Sequence, residues 1–143
     1  MVTMQAASKS TDEFGTMLDV PIDEAIERTT AALKAEGFGV LTKIDVKATL
    51  NEKIGEAFYP YTILGACNPR LAHQALTTNP DIGLLLPCNV IVYELYGRTT
   101  VNIINPEIML GSAPENPELS AIAAEAAERL RRVALALKMG STA

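Results

Sequence analysis

The chain has no tryptophan, a single histidine and only two cysteines in 143 residues. Each shortage excludes something. One histidine, His73, rules out a multi-histidine metal centre, and no HExxH pair is present. Cys67 and Cys88 are far too widely spaced for a CxxC redox or zinc motif. There is no Ser-His-Asp signature and no glycine-rich phosphate loop. Basic residues are scarce as well, with 12 Lys+Arg against 17 Asp+Glu and a formal net charge of -5. Nucleic-acid binding relies on clustered Lys and Arg, so a nucleic-acid partner is not expected. No apolar run approaches the roughly 20 residues that span a bilayer, so no membrane partner is expected either. Met1 to Thr11 lacks a charged start followed by an apolar core, so no signal peptide is expected. A cytoplasmic location follows, where thiols stay reduced.

What the chain does have is the balance of a globular domain, with 48% apolar and 20% charged residues. Its length suits one domain over residues 1–143, with 1–12 and 140–143 as flexible tails. Phe14 to Val20 reads as a first strand. Pro21 opens a helix whose apolar face is Ile22, Ala25, Ile26, Thr29 and Leu33, and Gly37 ends it. Phe38 to Val46 alternates, predicting a half-buried strand with Phe38, Val40, Thr42, Ile44 and Val46 on one face. Lys47 to Ile54 reads as a short helix closed by Gly55. Tyr59 to Cys67 is the next strand. Asn68 then caps a helix with Pro69 in its first turn and Leu71, Ala72, Ala75 and Leu76 on its apolar side. Asn79-Pro80-Asp81 breaks that helix, and Ile82 to Leu86 is a short apolar run. Cys88 to Leu95 and Thr99 to Ile104 form a hairpin around Tyr96-Gly97. Asn105 to Glu107 opens a helical turn, and Gly111 to Pro117 reads as a loop. Leu119 to Met139 is the strongest helix, with an alanine-rich stripe suited to a sheet or a second subunit. The expected class is α+β, an antiparallel sheet of about five strands packed against helices, the longest helix C-terminal.

The stretch from Ile63 to Val92 holds both cysteines, each followed by asparagine, and the only histidine. A thiol just before a helix start meets free N–H groups and the positive end of the dipole, which favour a thiolate. Cys67 is in that position. The commoner setting for such a residue is a small apolar group at a strand end. If the strands ending at Cys67 and starting at Cys88 are neighbours, the two sulfurs approach each other. Asn68 and Asn89 read either as cap and turn residues or as amides lining a pocket beside them. His73, one turn into the helix, is either a half-exposed residue or a base for Cys67. Arg129, Arg131 and Arg132 read as a solvated helix end.

Four segments also resemble a known family. They are Val20 to Ala25, Glu36 to Leu41, Leu64-Gly65-Ala66-Cys67-Asn68-Pro69 and Gly83 to Val90 with Pro87-Cys88-Asn89. They are similar, in order, to the DUF302 family over roughly Phe14 to Leu137. The resemblance implies a compact α+β fold grouped with TATA-binding-protein-like folds, a curved antiparallel sheet on helices, often a dimer. Its motif positions here are Cys67, Asn68, Pro69, Pro87, Cys88 and Asn89, and it supplies no catalytic role for them.

The leading expectation is a small-ligand or soft-metal binding module, with Cys67, Asn68, Pro69, His73, Cys88 and Asn89 at the site. The alternatives are a thiol-dependent redox protein using Cys67, and a structural homodimer with inert cysteines.

Overall fold

The structure, a computed structural model, describes residues 13–110 and 116–141. In chain order the elements are β1 (Gly15–Leu18), α1 (Ile22–Ala35), β2 (Gly39–Asp45), α2 (Val46–Ile54), β3 (Tyr61–Cys67), α3 (Pro69–Thr78), a 3-10 turn (Pro80–Leu85), β4 (Cys88–Leu95), β5 (Arg98–Ile103), α4 (Pro106–Leu110) and α5 (Pro117–Ser141). The strands form one antiparallel sheet in the order β1-β5-β4-β3-β2. The class is therefore α+β, with the longest helix C-terminal.

Successive side chains of a strand point to opposite faces, and the core uses one face only. Leu64 and Ala66 of β3, Val90 and Val92 of β4, and Val101 and Ile103 of β5 are all buried and share a cluster with the helices. Over them lie Ala25, Ile26 and Leu33 of α1 and Ala127, Leu130, Val133 and Leu137 of α5. Each large apolar side chain buried this way contributes about 1.5–3 kcal/mol. The alanine-rich stripe of α5 is used inside the protomer, since Ala123, Ala126, Ala127 and Ala134 are all buried.

Among the described residues neither α1 nor α5 contributes to the other face. Across it run Met17, Thr100, Tyr93 and Tyr61 in one row, and Asn102, Ile91, Ile63 and Ile44 in the next. Tyr61 and Tyr93 stack with ring centroids 5.4 Å apart.

Capping explains most of the helix ends. Asp45 and Asn68 accept hydrogen bonds from Ala48 N and Leu71 N, at 2.9 and 3.1 Å. Pro21 offers no such side chain, and a carboxylate oxygen of Glu94 accepts from Ile22 N at 3.1 Å instead. Gly55 ends α2 at φ 69°. Tyr96 and Gly97, at φ 52° and 75°, give the β4–β5 hairpin the positive φ pair that a two-residue loop requires.

Several expectations are corrected. Val40 and Ile44 do not share a face. The register shifts between Val40 and Thr42, so Val40 pairs with buried Ala66 while Ile44 pairs with Ile63 on the open side. An extra residue inverts the alternation beyond it. Ile82 to Leu86 is largely a 3-10 turn, with Ile82 buried and Leu84 almost fully exposed. The helix α5 begins at Pro117 and continues to Ser141, through part of the expected tail. The expected tail 1–12, residues 142 and 143, and most of the loop from Gly111 lie outside the described residues.

Gly65 marks a close approach on the open face. A Cβ there would run into the Thr42 hydroxyl and lie 2.7 Å from Pro87 Cγ, whereas one at Gly39 meets nothing within 4 Å. Gly65→Ala is therefore expected to lower unfolding free energy by about 1–3 kcal/mol in urea titration. Gly39→Ala should cost clearly less, and equal losses would contradict the packing described at Gly65.

Candidate functional site

The site grows from the end of β3. The ladder delivers Ala66 opposite Cys88, and Cys67 is the last strand residue. Asn68 then turns the chain into α3, with Pro69 in the first turn, where its missing N–H costs nothing. Asn68 is buried, and its neighbour from the α1–β2 turn is Gly37 at φ 84°. A Cβ on Gly37 would lie 2.9 Å from Asn68 Nδ2. The same turn is tied to α5 by Arg129, whose Nη1 donates to the Glu36 carbonyl at 3.2 Å.

Between this sheet end and the helices lies an apolar cavity of about 40 Å³. Its walls include Ala66, Cys67 and Cys88 from the sheet, Asn68, Leu71 and Ala75 from the α3 region, Met109 from α4, and Ile122 and Ala126 from α5. No charged side chain lines it. Both cysteines are free thiols, Cys88 buried and Cys67 partly buried.

Burial sets the charge state of these thiols. It raises Cys67 above its ordinary value. It pushes Cys88 from 9.0 up to about 11, and the charge of a Cys67 thiolate pushes in the same direction. Burial thus acts against the helix-start argument for a low Cys67 pKa. Both sulfurs are protonated thiols at neutral pH.

The structure brings together Cys67, Asn68 and Cys88 from the expected site. The remaining expected residues lie elsewhere. Pro69 is exposed. His73 is exposed on an open groove between α3 and α5, with Thr77 and Glu118. Asn89 is also exposed; it sits opposite Gly65, and its carbonyl accepts from Ile104 N at 3.1 Å. The arginines are ion-paired partway along α5 instead of solvating its end. Arg131 reaches Glu107 at 3.1 Å and Glu13 at 3.4 Å, and Arg132 reaches Glu36 at 2.9 Å. Sequence reasoning missed the wall supplied by α4 and α5, including Met109. The small side chains of the α5 stripe were the available sign of close approach there. Among the described residues no group of three His, Cys, Asp or Glu side chains is placed to hold a metal ion.

A raised thiol pKa has a defined sign in stability. The folded state holds the proton more tightly, so the stabilisation is present below the ordinary thiol pKa and is lost as pH rises through the folded value. For Cys88, a rise from 9.0 to about 11 amounts to roughly 3 kcal/mol lost across that window. The melting temperature of Cys88→Ala should therefore fall less between pH 8.5 and 11 than that of the unsubstituted protein. Parallel curves would show that Cys88 does not titrate this way.

No curated protein matches the chain. Among solved structures, it is similar to the crystal structure of an uncharacterized conserved DUF302 protein from Bacillus stearothermophilus, with 35% identity and a TM-score of 0.77. That match covers 87% of this chain and 94% of the other. The family model described as "Domain of unknown function DUF302" matches residues 14–137, which takes in the whole sheet, the cavity and most of α5. The chain belongs to the DUF302 family.

Proposed function

We propose that the protein is a small binding module of the reducing cytoplasm that holds a soft ligand of a few atoms, a thiophilic metal ion in the first place, between Cys67 and Cys88. The observation that supports this is that both thiols border one apolar cavity. Its volume of about 40 Å³ narrows the ligand. Pockets for drug-sized molecules run to roughly 300–1,000 Å³, whereas one ion or a few atoms fit here. The cavity lacks charged groups to recognise a hard ion or an anion. Thiolate and thioether sulfurs select soft ions such as Cu(I), and Met109 adds a thioether to the wall. A thiol-redox role is less well supported, because burial keeps both sulfurs protonated at neutral pH.

Binding at two thiols displaces up to two protons as the sulfur–metal bonds form. Affinity is therefore expected to rise with pH across the neutral range, because both thiols start protonated. Silver(I), a redox-inert stand-in for Cu(I), should raise the melting temperature of the reduced protein at one equivalent. Cys67→Ser and Cys88→Ser should each remove most of the shift, and His73→Ala should leave it unchanged. A shift that persists in both cysteine variants, or no shift at all, would sink this reading.

The homodimer expected from the family resemblance belongs to the same proposal. It is supported by Met17 and Ile44, exposed apolar residues on the face of the sheet turned away from α1 and α5.

A further inference from the structure

We infer that the groove between α3 and α5, on which His73 lies, is a second binding site, and that it takes a small organic molecule carrying one primary ammonium group. The site is separate from the thiol cavity, and neither cysteine lines it. Volume sets the two apart. The thiol cavity of about 40 Å³ admits an ion or a few atoms, whereas the groove holds about 450 Å³. That lies within the roughly 300–1,000 Å³ of sites for small organic molecules.

Two contacts between the helices frame the groove. Arg70, near the start of α3, reaches Glu125 of α5 at 3.2 Å. Thr78, at the end of α3, donates from its hydroxyl to Glu118 Oε2 at 3.2 Å. The helices therefore run antiparallel, and the framed length is about 12 Å along α3 at 1.5 Å per residue. Between these ends, Ala121 of α5 contributes only a methyl group, and with Ile122 it forms the apolar part of the lining. His73, Gln74 and Thr77 of α3 supply hydrogen-bonding groups opposite.

Charge selects the ligand. Among the described residues, Glu118 is the acidic group of the lining, and no Lys or Arg lines the groove. The other α5 glutamates are paired, Glu125 with Arg70 and Arg129, and Glu128 with Arg131 and Arg132. Among the described residues Glu118 has no such cation. Its hydroxyl partner on Thr78 also lies 2.9 Å from the Gln74 carbonyl, and a hydroxyl has one proton to give. When that proton goes to Gln74, the Glu118 carboxylate has no side-chain donor. The Thr77 hydroxyl donates to the His73 carbonyl at 2.7 Å, which leaves its oxygen as an acceptor. An ammonium group brings three donors and the missing positive charge. The last turn of α3 also favours a cation, while the start of α5 is already capped by Asn116, which accepts from Glu118 N at 2.9 Å. At the far end Glu125 is taken by two arginines, so a second ammonium group has no partner there. Glu118 is exposed, so the affinity is modest, on the order of millimolar.

Titration of phenethylamine hydrochloride into isotope-labelled protein at neutral pH, followed by amide chemical shifts, tests this. Saturable shifts are expected at Gln74, Thr77, Thr78 and Ala121. The neutral analogue 2-phenylethanol should bind roughly threefold more weakly or worse, and the anion 3-phenylpropionate more weakly still. Glu118→Gln should weaken the amine by a similar factor and leave the alcohol unchanged. Ala121→Lys, a cation at an exposed position, should abolish amine binding with an unchanged circular dichroism spectrum. Glu27→Gln, which removes an exposed carboxylate of α1, should change nothing, and neither should Cys67→Ser, which tests the thiol site separately. No saturable shift at these amides, or amine binding that survives Ala121→Lys, overturns the site. Equal binding of amine and alcohol, or an amine affinity lowered as much by Glu27→Gln as by Glu118→Gln, overturns the assignment of a cation to it.

Discussion

The alternation of the three central strands is the constraint on which the rest depends. In β3, β4 and β5 the alternate residues on one side are mostly apolar and buried beneath α1 and α5, Leu64, Ala66, Val90, Val92, Val101 and Ile103, with Thr62 and Thr99 buried among them, and the residues between them face the other way. A slip of one residue in either pairing would expose Leu64, Val90, Val92 or Val101 and bury tyrosine hydroxyls in their place. At about 1.5–3 kcal/mol for each large side chain, that is comparable to the whole stability of a domain. The register is therefore held by burial, and the register sets Ala66 opposite Cys88 and Tyr61 opposite Tyr93.

The cavity is a consequence of where this ladder stops. Beyond Cys67 the chain turns into α3, and the covering side is closed by α3, α4 and α5. Several wall residues are small, Ala66, Ala75 and Ala126 among them, and small side chains leave a gap where larger ones would meet. Burial in this gap raises both thiols, Cys88 the more deeply buried of the two. The same burial that works against a thiolate nucleophile leaves two sulfurs beside an uncharged, apolar wall.

Much of this was legible in the sequence because it is local. Asn68-Pro69 announces a helix start through chemistry contained within four residues, and Tyr96-Gly97 announces the hairpin in the same way. The β4–β5 hairpin follows from its two-residue connection, but β3 and β4 are joined through α3 and the 3-10 turn, so the sequence left any approach of Cys67 and Cys88 conditional on those strands pairing. The parts that escaped depend on distant partners. The shift after Val40 is set by pairing with β3, and nothing in Val40-Leu41-Thr42 alone requires it. The outward position of Asn89 follows from its place opposite Gly65 in the ladder. Met109 reaches the cavity through the packing of α4 on α5, which no local pattern encodes. The Arg131 and Arg132 ion pairs join α5 to residues far away in sequence, including Glu13 and Glu36.

The two surfaces of functional interest lie on opposite sides of one sheet. The cavity walls come from the covered side and from α3, α4 and α5, whereas the apolar rows of Ile63, Ile91, Tyr61 and Tyr93 look the other way. Gly65 links the two sides locally: a Cβ there would run into Thr42 and Pro87, its neighbour Ala66 lines the cavity, and Pro87 directly precedes Cys88, so the close packing that needs a glycine at position 65 also fixes where the chain enters the strand carrying a cavity sulfur.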